Sequence, residues 1–374
     1  MDFLHLSYND DNFATKTSDT QSSCIERFQE NNSFTLKRQD HIDFILENFV
    51  NLESYMISLD SSQTWLCYWM CHSLALLDAP IPHQEKYLLI ICFKRLINTI
   101  RLLQSEQGGF AGAPGMIPHL ASSYAAILAI ATIGTPEAYS IVNTKKLYEF
   151  LASVKHKDGF FYMQQGGEVD VRGCYCAIVC AYLTGIMDDK LTENVAEYIL
   201  KCQTYEGGFG GIPDAEAHGG YTFCAVAALK ILGRVKDCNM DALIRFVSSK
   251  QMKLEGGFQG RCNKLVDGCY SFWQAAIFPI IESELPIPEF HAYNQEMLQR
   301  YLLCCCQLDL EDHGGMLDKP EKIIRLSKEN PFTLRCMEMS VILGDESNEL
   351  KTTHPVFNIV STKVDSILDY FKVK

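Results

Sequence analysis

One phrase recurs along this 374-residue chain, and its spacing restricts the possible folds more than composition does. It reads Gln104-Ser-Glu-Gln-Gly-Gly-Phe-Ala-Gly-Ala-Pro114, then Gln203-Thr-Tyr-Glu-Gly-Gly-Phe-Gly-Gly-Ile-Pro213, then Gln251-Met-Lys-Leu-Glu-Gly-Gly-Phe-Gln-Gly260. A looser copy runs from Gln307 through Gly314-Gly315 to Pro320, and a degenerate one is Lys155-His-Lys-Asp-Gly-Phe160. The starts at 104, 155, 203, 251 and 307 lie 51, 48, 48 and 56 residues apart, a period that marks stacked supersecondary units. Between the loops lie stretches with helical apolar spacing, such as Tyr221 to Leu232 and Ala242 to Val247, so each unit is a helix pair joined by glycine-rich turns. Outside Val169 to Val171 there is little sustained period-two alternation, which argues against a substantial sheet. About six such pairs, each burying its neighbour's apolar face, make either a solenoid or a closed ring, and the period alone fits both.

Residues 1–38 are polar and poor in periodic apolar positions, which predicts an N-terminal extension, mobile or covering a partner, ahead of the helical region 39–374. The length permits one large domain or two to three ordinary ones. A net charge of −13 argues against coating nucleic acid or an anionic membrane, while leaving room for a small basic pocket. Sixteen cysteines without framework spacing, three of them in the run Cys304-Cys305-Cys306, point to a reducing compartment and so to a cytoplasmic protein. The opening Met-Asp-Phe-Leu-His lacks the basic and apolar regions of a secretory signal, and the apolar stretch Leu88 to Phe93 is too short to span a bilayer. No direct membrane insertion is expected.

Chemistry concentrates in the thirteen residues from Arg261 to Trp273, which carry Arg261, Lys264, Asp267, Cys269, Tyr270 and Trp273. A carboxylate and a thiol two residues apart can both reach a zinc ion, and the adjacent Arg and Lys can hold a polyanion such as a diphosphate. The same residues also fit a surface ion-pair cluster followed by a buried helix.

These motifs, together with Gly166-Gly-Glu-Val-Asp170-Val-Arg172 and Glu216-Ala-His218-Gly-Gly-Tyr221, resemble the protein farnesyltransferase β-subunit family from about Ser61 to Lys363. The resemblance implies an all-α fold, an α-α toroid of six inner and six outer helices around a central funnel, paired in an obligate heterodimer with a helical-repeat α subunit. It implies transfer of farnesyl from farnesyl diphosphate to the cysteine of C-terminal Cys-a-a-X proteins. By the same resemblance, Asp267 and Cys269 ligate Zn²⁺, and the substrate sulfur takes an open position. His218, Arg261, Lys264 and Tyr270 contact the diphosphate, and Asp318 is a carboxylate associated with Mg²⁺. The isoprenoid groove corresponds to Trp65, Arg172, Tyr175, Tyr221, Cys224 and Trp273, with Trp69 beside it. Ser61, Ser62, Trp65, Trp69, His119 and Ala121 surround the acceptor peptide. A Trp at position 65 implies a groove shortened to 15 carbons.

The chain departs from the family at the third zinc ligand, a histidine for which Leu334 stands here, with Thr333 and Met337 replacing aromatics of the peptide groove. No histidine occurs between His313 and His354. Either the zinc site differs, or residues 321–337 are not the biological sequence, as a misread exon boundary would produce. Alternatives are a type I geranylgeranyltransferase β subunit, against which Trp65 and Asp318 argue, and a terpene cyclase, for which Val-Asp-Val-Arg is a poor acidic motif. A non-catalytic scaffold with a decayed zinc site is the reading from another class.

Overall fold

A computed structural model describes residues 14–31, 34–52, 54–79, 87–285, 293–308, 314–320 and 342–372. Position 334, its neighbours 321–337 and His313 lie outside the described residues. Two leading helices, α1 (Lys16–Glu30) and α2 (Arg38–Val50), precede an alternation of two helix types. The first type comprises α3 (Gln63–Leu76); after the second-type α4 (Tyr87–Leu103), it recurs as α5 (Leu120–Ile133). The alternation continues through α6 (Thr144–Val154), α7 (Val171–Leu183), α8 (Val195–Lys201), α9 (Gly219–Ile231) and α10 (Met240–Ser248). Then come the short α11 (Tyr270–Trp273) and α12 (Ile277–Glu282), α13 (Gln295–Tyr301) running into a π-helical turn at Leu302–Cys306, and α14 (Ser361–Lys372).

Residue chemistry separates the two types. In α5 every residue but Ala121 is buried, and its Ala-rich run Ala125 to Ala131 allows close approach on all sides. A helix that is apolar all round belongs inside. By contrast α10 buries Ala242, Leu243, Phe246 and Val247 on one stripe and leaves Asp241 and Arg245 outside. Helices α3, α5, α7, α9 and then α11–α12 pack in succession as the inner layer, with the amphipathic helices around them. This is an α-α toroid. Among the described residues there is no extended strand, only isolated bridges at the loops.

Each bridge explains part of the recurring phrase. Gln104↔Phe110, Lys155↔Phe161, Gln203↔Phe209, Gln251↔Phe258 and Gln307↔Met316 clip the loops shut, and the four phenylalanines are fully buried. The leading glutamine reaches into the next unit. Gln203 Nε2 donates to the Asn239 carbonyl at 3.1 Å and to Gly207 O at 3.0 Å, while its Oε1 accepts from Asn239 N–H at 2.8 Å. Asn239 is the N-cap of α10. Gln251 does the same at Asn294, the N-cap of α13, while a flipped Gln104 amide accepts from the N–H of Asn143, the N-cap of α6, and donates to the Ile141 carbonyl. At Gly207, where φ is +100°, an added Cβ would lie 2.0 Å from the Ala242 carbonyl, so both the conformation and the close approach demand glycine. Gln203→Ala is expected to lower unfolding free energy by about 1–3 kcal/mol, read from urea denaturation, because three backbone partners lose a bond.

The fourth of these glutamines, Gln307, settles solenoid against ring. Gln307 Oε1 accepts from Lys37 N–H at 2.9 Å and lies 3.1 Å from His41 Nε2, and its Nε2 donates to Thr35 O at 3.1 Å. Lys37 is the N-cap of α2, so the Gln307 loop grips a helix at the beginning of the chain, and the ring closes. The ring therefore already includes Thr35 to Lys37, within the stretch expected to be an extension. Upstream, α1 is a packed helix rather than a mobile arm, with Cys24 buried against Tyr301 and Cys304–Cys306, and Arg300 over the Phe28 ring at 4.3 Å.

A sixth clip, Thr353↔Val360, is absent from the recurring phrase because Asn358 takes the left-handed conformation, φ +54°, in place of glycine. Its carbonyls face the ring interior. Tyr68 Oη donates to Asn358 O at 2.5 Å and Tyr175 Oη to Val356 O at 2.7 Å. Helix α14 lies across the C-terminal ends of α5 and α7, with Val364, Ile367 and Phe371 buried, so this segment plugs that end. No helix among the described residues is long and apolar enough to cross a membrane.

Candidate functional site

At the opposite end, the N-termini of the inner helices meet on one rim, and those of α5, α7 and α9 are each capped by a polar side chain. His119 Nδ1 accepts from Ala121 N–H at 3.1 Å, Asp170 Oδ1 from Arg172 N–H at 2.8 Å, and His218 Nδ1 from Gly220 N–H at 3.0 Å. Just before α11, Asp267 Oδ1 accepts from Cys269 N–H at 2.8 Å. The rim thus gathers the positive ends of several helix dipoles, which favour an anion.

A cleft of about 370 Å³ opens here, lined by Arg172, His218, Gly220, Tyr221, Cys224, Arg261 and Trp273. Its polar side is fixed by a web of bonds. Asp170 holds the Arg172 guanidinium through two hydrogen bonds, at 2.9 and 2.6 Å, and the guanidinium carbon lies 5.7 Å from the centre of the Tyr221 ring. The Asp170 hydrogen bond raises the guanidinium pKa further, so Arg172 is a permanent cation. His218 Nε2 lies 3.0 Å from Tyr270 Oη. Burial, and then Arg261, lowers the His218 pKa, leaving a neutral ring whose proton sits on Nε2 because Nδ1 is already an acceptor. That proton is donated to Tyr270 Oη, so the phenol hydrogen is available to another acceptor. Burial pushes the Tyr270 pKa up, so the phenol keeps this hydrogen. Arg261 NH1 pairs with Glu216 Oε2 at 2.8 Å on an exposed edge.

Beneath its apolar side runs a chain of rings from successive inner helices. Ring centres lie 5.8 Å apart for Trp65 and Tyr124, 5.2 Å for Tyr124 and Tyr175, 5.4 Å for Tyr175 and Phe223, and 5.1 Å for Phe223 and Trp273. Cys224 is buried, which drives its thiol pKa well up, and it serves as apolar wall.

The structure brings most of the expected residues together. Arg172, His218, Tyr221, Cys224, Arg261, Tyr270 and Trp273 form one site. Trp65 packs on Trp69, tilted, with ring centres 5.4 Å apart, in the adjoining sector, where the Ser61 carbonyl packs on Gly112 in the loop leading to His119. Two residues are placed differently from expectation. Tyr175 does not line the cleft: it is buried beneath it, with its hydroxyl spent on the plug at Val356. The Lys264 side chain is exposed beyond the cleft lining. Asp318 acts through its carbonyl, which accepts from Gly268 N–H at 2.6 Å and Tyr301 Oη at 2.5 Å and so pins the 314–320 loop to the 267–269 turn. Sequence reasoning did not assign site roles to Asp170 and Glu216, although both stand within two residues of cleft residues in the quoted motifs.

Of the fourteen cysteines described, only Cys262 and Cys269 are not buried, which is what a metal ligand or nucleophile requires. Asp267 and Cys269 offer an oxygen and a sulfur of the kind zinc takes. Among the described residues, no group of three or more His, Cys, Asp or Glu could hold a metal, so this donor pair fits zinc in kind and is incomplete in number.

Residues 36–359 match the family model of the prenyltransferase alpha-alpha toroid domain. The chain is 44% identical to the protein farnesyltransferase subunit beta of Arabidopsis thaliana, over 90% of this chain and 83% of that protein. It is 41% identical to the Schizosaccharomyces pombe protein farnesyltransferase subunit beta, over 78% of this chain and 75% of that protein. Among solved structures, Candida albicans protein geranylgeranyltransferase-I complexed with GGPP shares the fold, with a TM-score of 0.71 at 22% identity, covering 90% of this chain and 99% of that one.

Proposed function

Since the chain belongs to the prenyltransferase α-α toroid family, among the farnesyltransferase β subunits, we propose that it is the catalytic β subunit of a zinc-dependent protein farnesyltransferase. Its donor is farnesyl diphosphate, its acceptor the cysteine of a C-terminal Cys-a-a-X sequence, and its partner an α subunit. One observation carries the reading: Arg172, His218, Arg261 and Tyr270 converge on a rim beside an accessible Asp267–Cys269 pair, with an aromatic wall below.

Prenyl transfer to sulfur needs a leaving group whose growing charge is neutralised. Arg261 and Arg172 supply fixed cations, and the Tyr270 hydroxyl supplies a hydrogen bond that strengthens as charge moves onto the diphosphate. His218 orients that hydroxyl by donating to its oxygen. Trp273, Tyr221 and Cys224 exclude water from the hydrocarbon, and the Trp65 and Trp69 rings crowd the adjoining sector in keeping with a 15-carbon chain. Asp267 and Cys269 would hold the zinc, which when bound keeps the acceptor sulfur as a thiolate.

Glu216 competes with an incoming anion for Arg261. Glu216→Gln is therefore expected to tighten binding of inorganic pyrophosphate by about two- to fivefold, measured by calorimetry, the range that release of an exposed ion pair supports.

The decisive experiment is co-expression with an α subunit, followed by transfer from farnesyl and geranylgeranyl diphosphate to Cys-a-a-X peptides ending in Met, Ser, Gln or Leu. Faster farnesyl transfer is expected. Faster geranylgeranyl transfer would assign the type I enzyme instead, and heterodimer formation with no transfer from either donor would assign a scaffold.

A further inference from the structure

Beside the cleft, and outside the machinery described above, three reactive groups meet. Lys250 is 2% exposed, yet no carboxylate lies within ion-pair distance of it among the described residues. Its Nζ lies 3.2 Å from Cys262 Sγ, 3.2 Å from Ser249 Oγ and 4.1 Å from the Phe246 ring centre. On its other side Cys262 Sγ is 3.6 Å from Glu206 Oε2. A buried ammonium without a carboxylate is costly, and the sulfur is the group placed to take negative charge beside it. Cys262 is also the exposed thiol among the fourteen described, and it directly follows Arg261, which lines the cleft.

We propose that Cys262 is a modification site, a nucleophilic thiol set between Lys250 and Glu206 that exchanges with glutathione-type disulfides, and that its adduct draws Arg261 out of the cleft. Glu206 Oε2 takes the thiol proton, and charge building on Sγ meets the Lys250 ammonium. Sγ attacks one disulfide sulfur, the new S–S bond forms as the old one breaks, and the departing glutathione thiolate takes up the proton. Cys262 is oxidised, and one glutathione is reduced. The surrounding Arg261, Lys250 and Lys264, set against Glu206 and Glu216, favour an acidic disulfide. A glutathionyl group at Sγ replaces the thiol's contacts with Lys250 and Glu206 and brings carboxylates beside the adjacent Arg261, which compete with the cleft for its guanidinium.

The test treats the α-subunit heterodimer with glutathione disulfide and maps adducts by peptide mass spectrometry. Cys262 is expected to be modified before any other cysteine, and at least about tenfold faster than in a free peptide spanning residues 258–266, given the ammonium at contact distance. Lys250→Met is expected to remove this advantage, Lys250→Arg to restore most of it, and Cys262→Ser to abolish labelling while leaving transfer activity. A folded-protein rate no higher than the peptide rate overturns the proposal without recourse to any variant. The adduct is expected to weaken inorganic pyrophosphate binding severalfold, and unchanged binding overturns the link to Arg261. Labelling does not depend on the farnesyltransferase reading, whose own failure would appear as no transfer by the unmodified heterodimer.

Discussion

Cys269→Ala is expected to remove bound zinc and to lower farnesyl transfer by about 10³-fold or more, the several kcal/mol that a metal contributes at a reacting centre. The side chain is half-buried on the rim, in a turn held by backbone bonds from Tyr270 to Asp267 and from Gly268 to Asp318, so the fold should survive the change. Metal analysis and single-turnover transfer, done on the same preparation, separate the effects. Loss of zinc together with loss of turnover supports the assignment, whereas full turnover with zinc retained would refute it. Asp267→Ala should be at least as severe, because its Oδ1 also holds the Cys269 N–H. Asp267→Asn keeps that acceptor while removing the charge, and its zinc content therefore separates ligation from loop support.

Gly260→Ala should reduce turnover by about 10²-fold, the usual consequence of losing one preorganised donor to a developing anion. A Cβ at this position would lie 2.1 Å from Tyr270 Cζ and 2.2 Å from its hydroxyl. Neither side can give way cheaply. The Gly260 carbonyl is fixed by Gly219 N–H at 2.8 Å, at the first turn of α9, and the Tyr270 hydroxyl is fixed by His218. The ring must swing away, which breaks its bond to His218 and takes the phenol out of the rim. Tyr270→Phe removes only the hydroxyl. If Gly260→Ala and Tyr270→Phe lose similar amounts of activity, and the double variant loses no more, the glycine acts through Tyr270. Additive losses would instead indicate general damage to the loop.

The repeat was legible because Gln203, Gly207 and Phe209 each do backbone or core work that another residue type performs poorly, so the same letters return in each unit. Where the local conformation is met differently, the signal fades. Asn358 adopts the glycine conformation and Thr353 stands in the glutamine position, which hides the sixth clip. Helix α1 was missed for a related reason. It docks through Thr20, Cys24 and the Phe28–Arg300 contact, not through an apolar stripe, so its sequence reads as polar. Ring closure depends on Gln307 and Lys37, 270 residues apart, and no local pattern reports such a contact. In the site, the residue types of the run from Arg261 to Trp273 were legible as candidates, and the structure places Arg261 and Trp273 in the cleft lining. Direction was less legible: Lys264 turns outward and Tyr175 lies under the cleft floor, since both depend on which way a turn or helix face points. The partners Asp170 and Glu216 became meaningful only once cap geometry placed them against Arg172 and Arg261.

The clasp between Gln307 and Lys37 also orders events on the ribosome. The clips led by Gln104, Gln203 and Gln251 grip the starts of helices made about forty residues later, at Asn143, Asn239 and Asn294, so those units can settle one after another as the chain emerges. The α2 terminus is different: its clamp is synthesised 270 residues afterwards, and the plug that fastens Tyr68 and Tyr175 comes later still. Until then the nascent arc has two open ends bearing apolar inner helices, the condition in which partly made proteins are most prone to aggregate. Chaperone demand should therefore peak during late elongation and fall once residues 307 to 360 have cleared the exit tunnel.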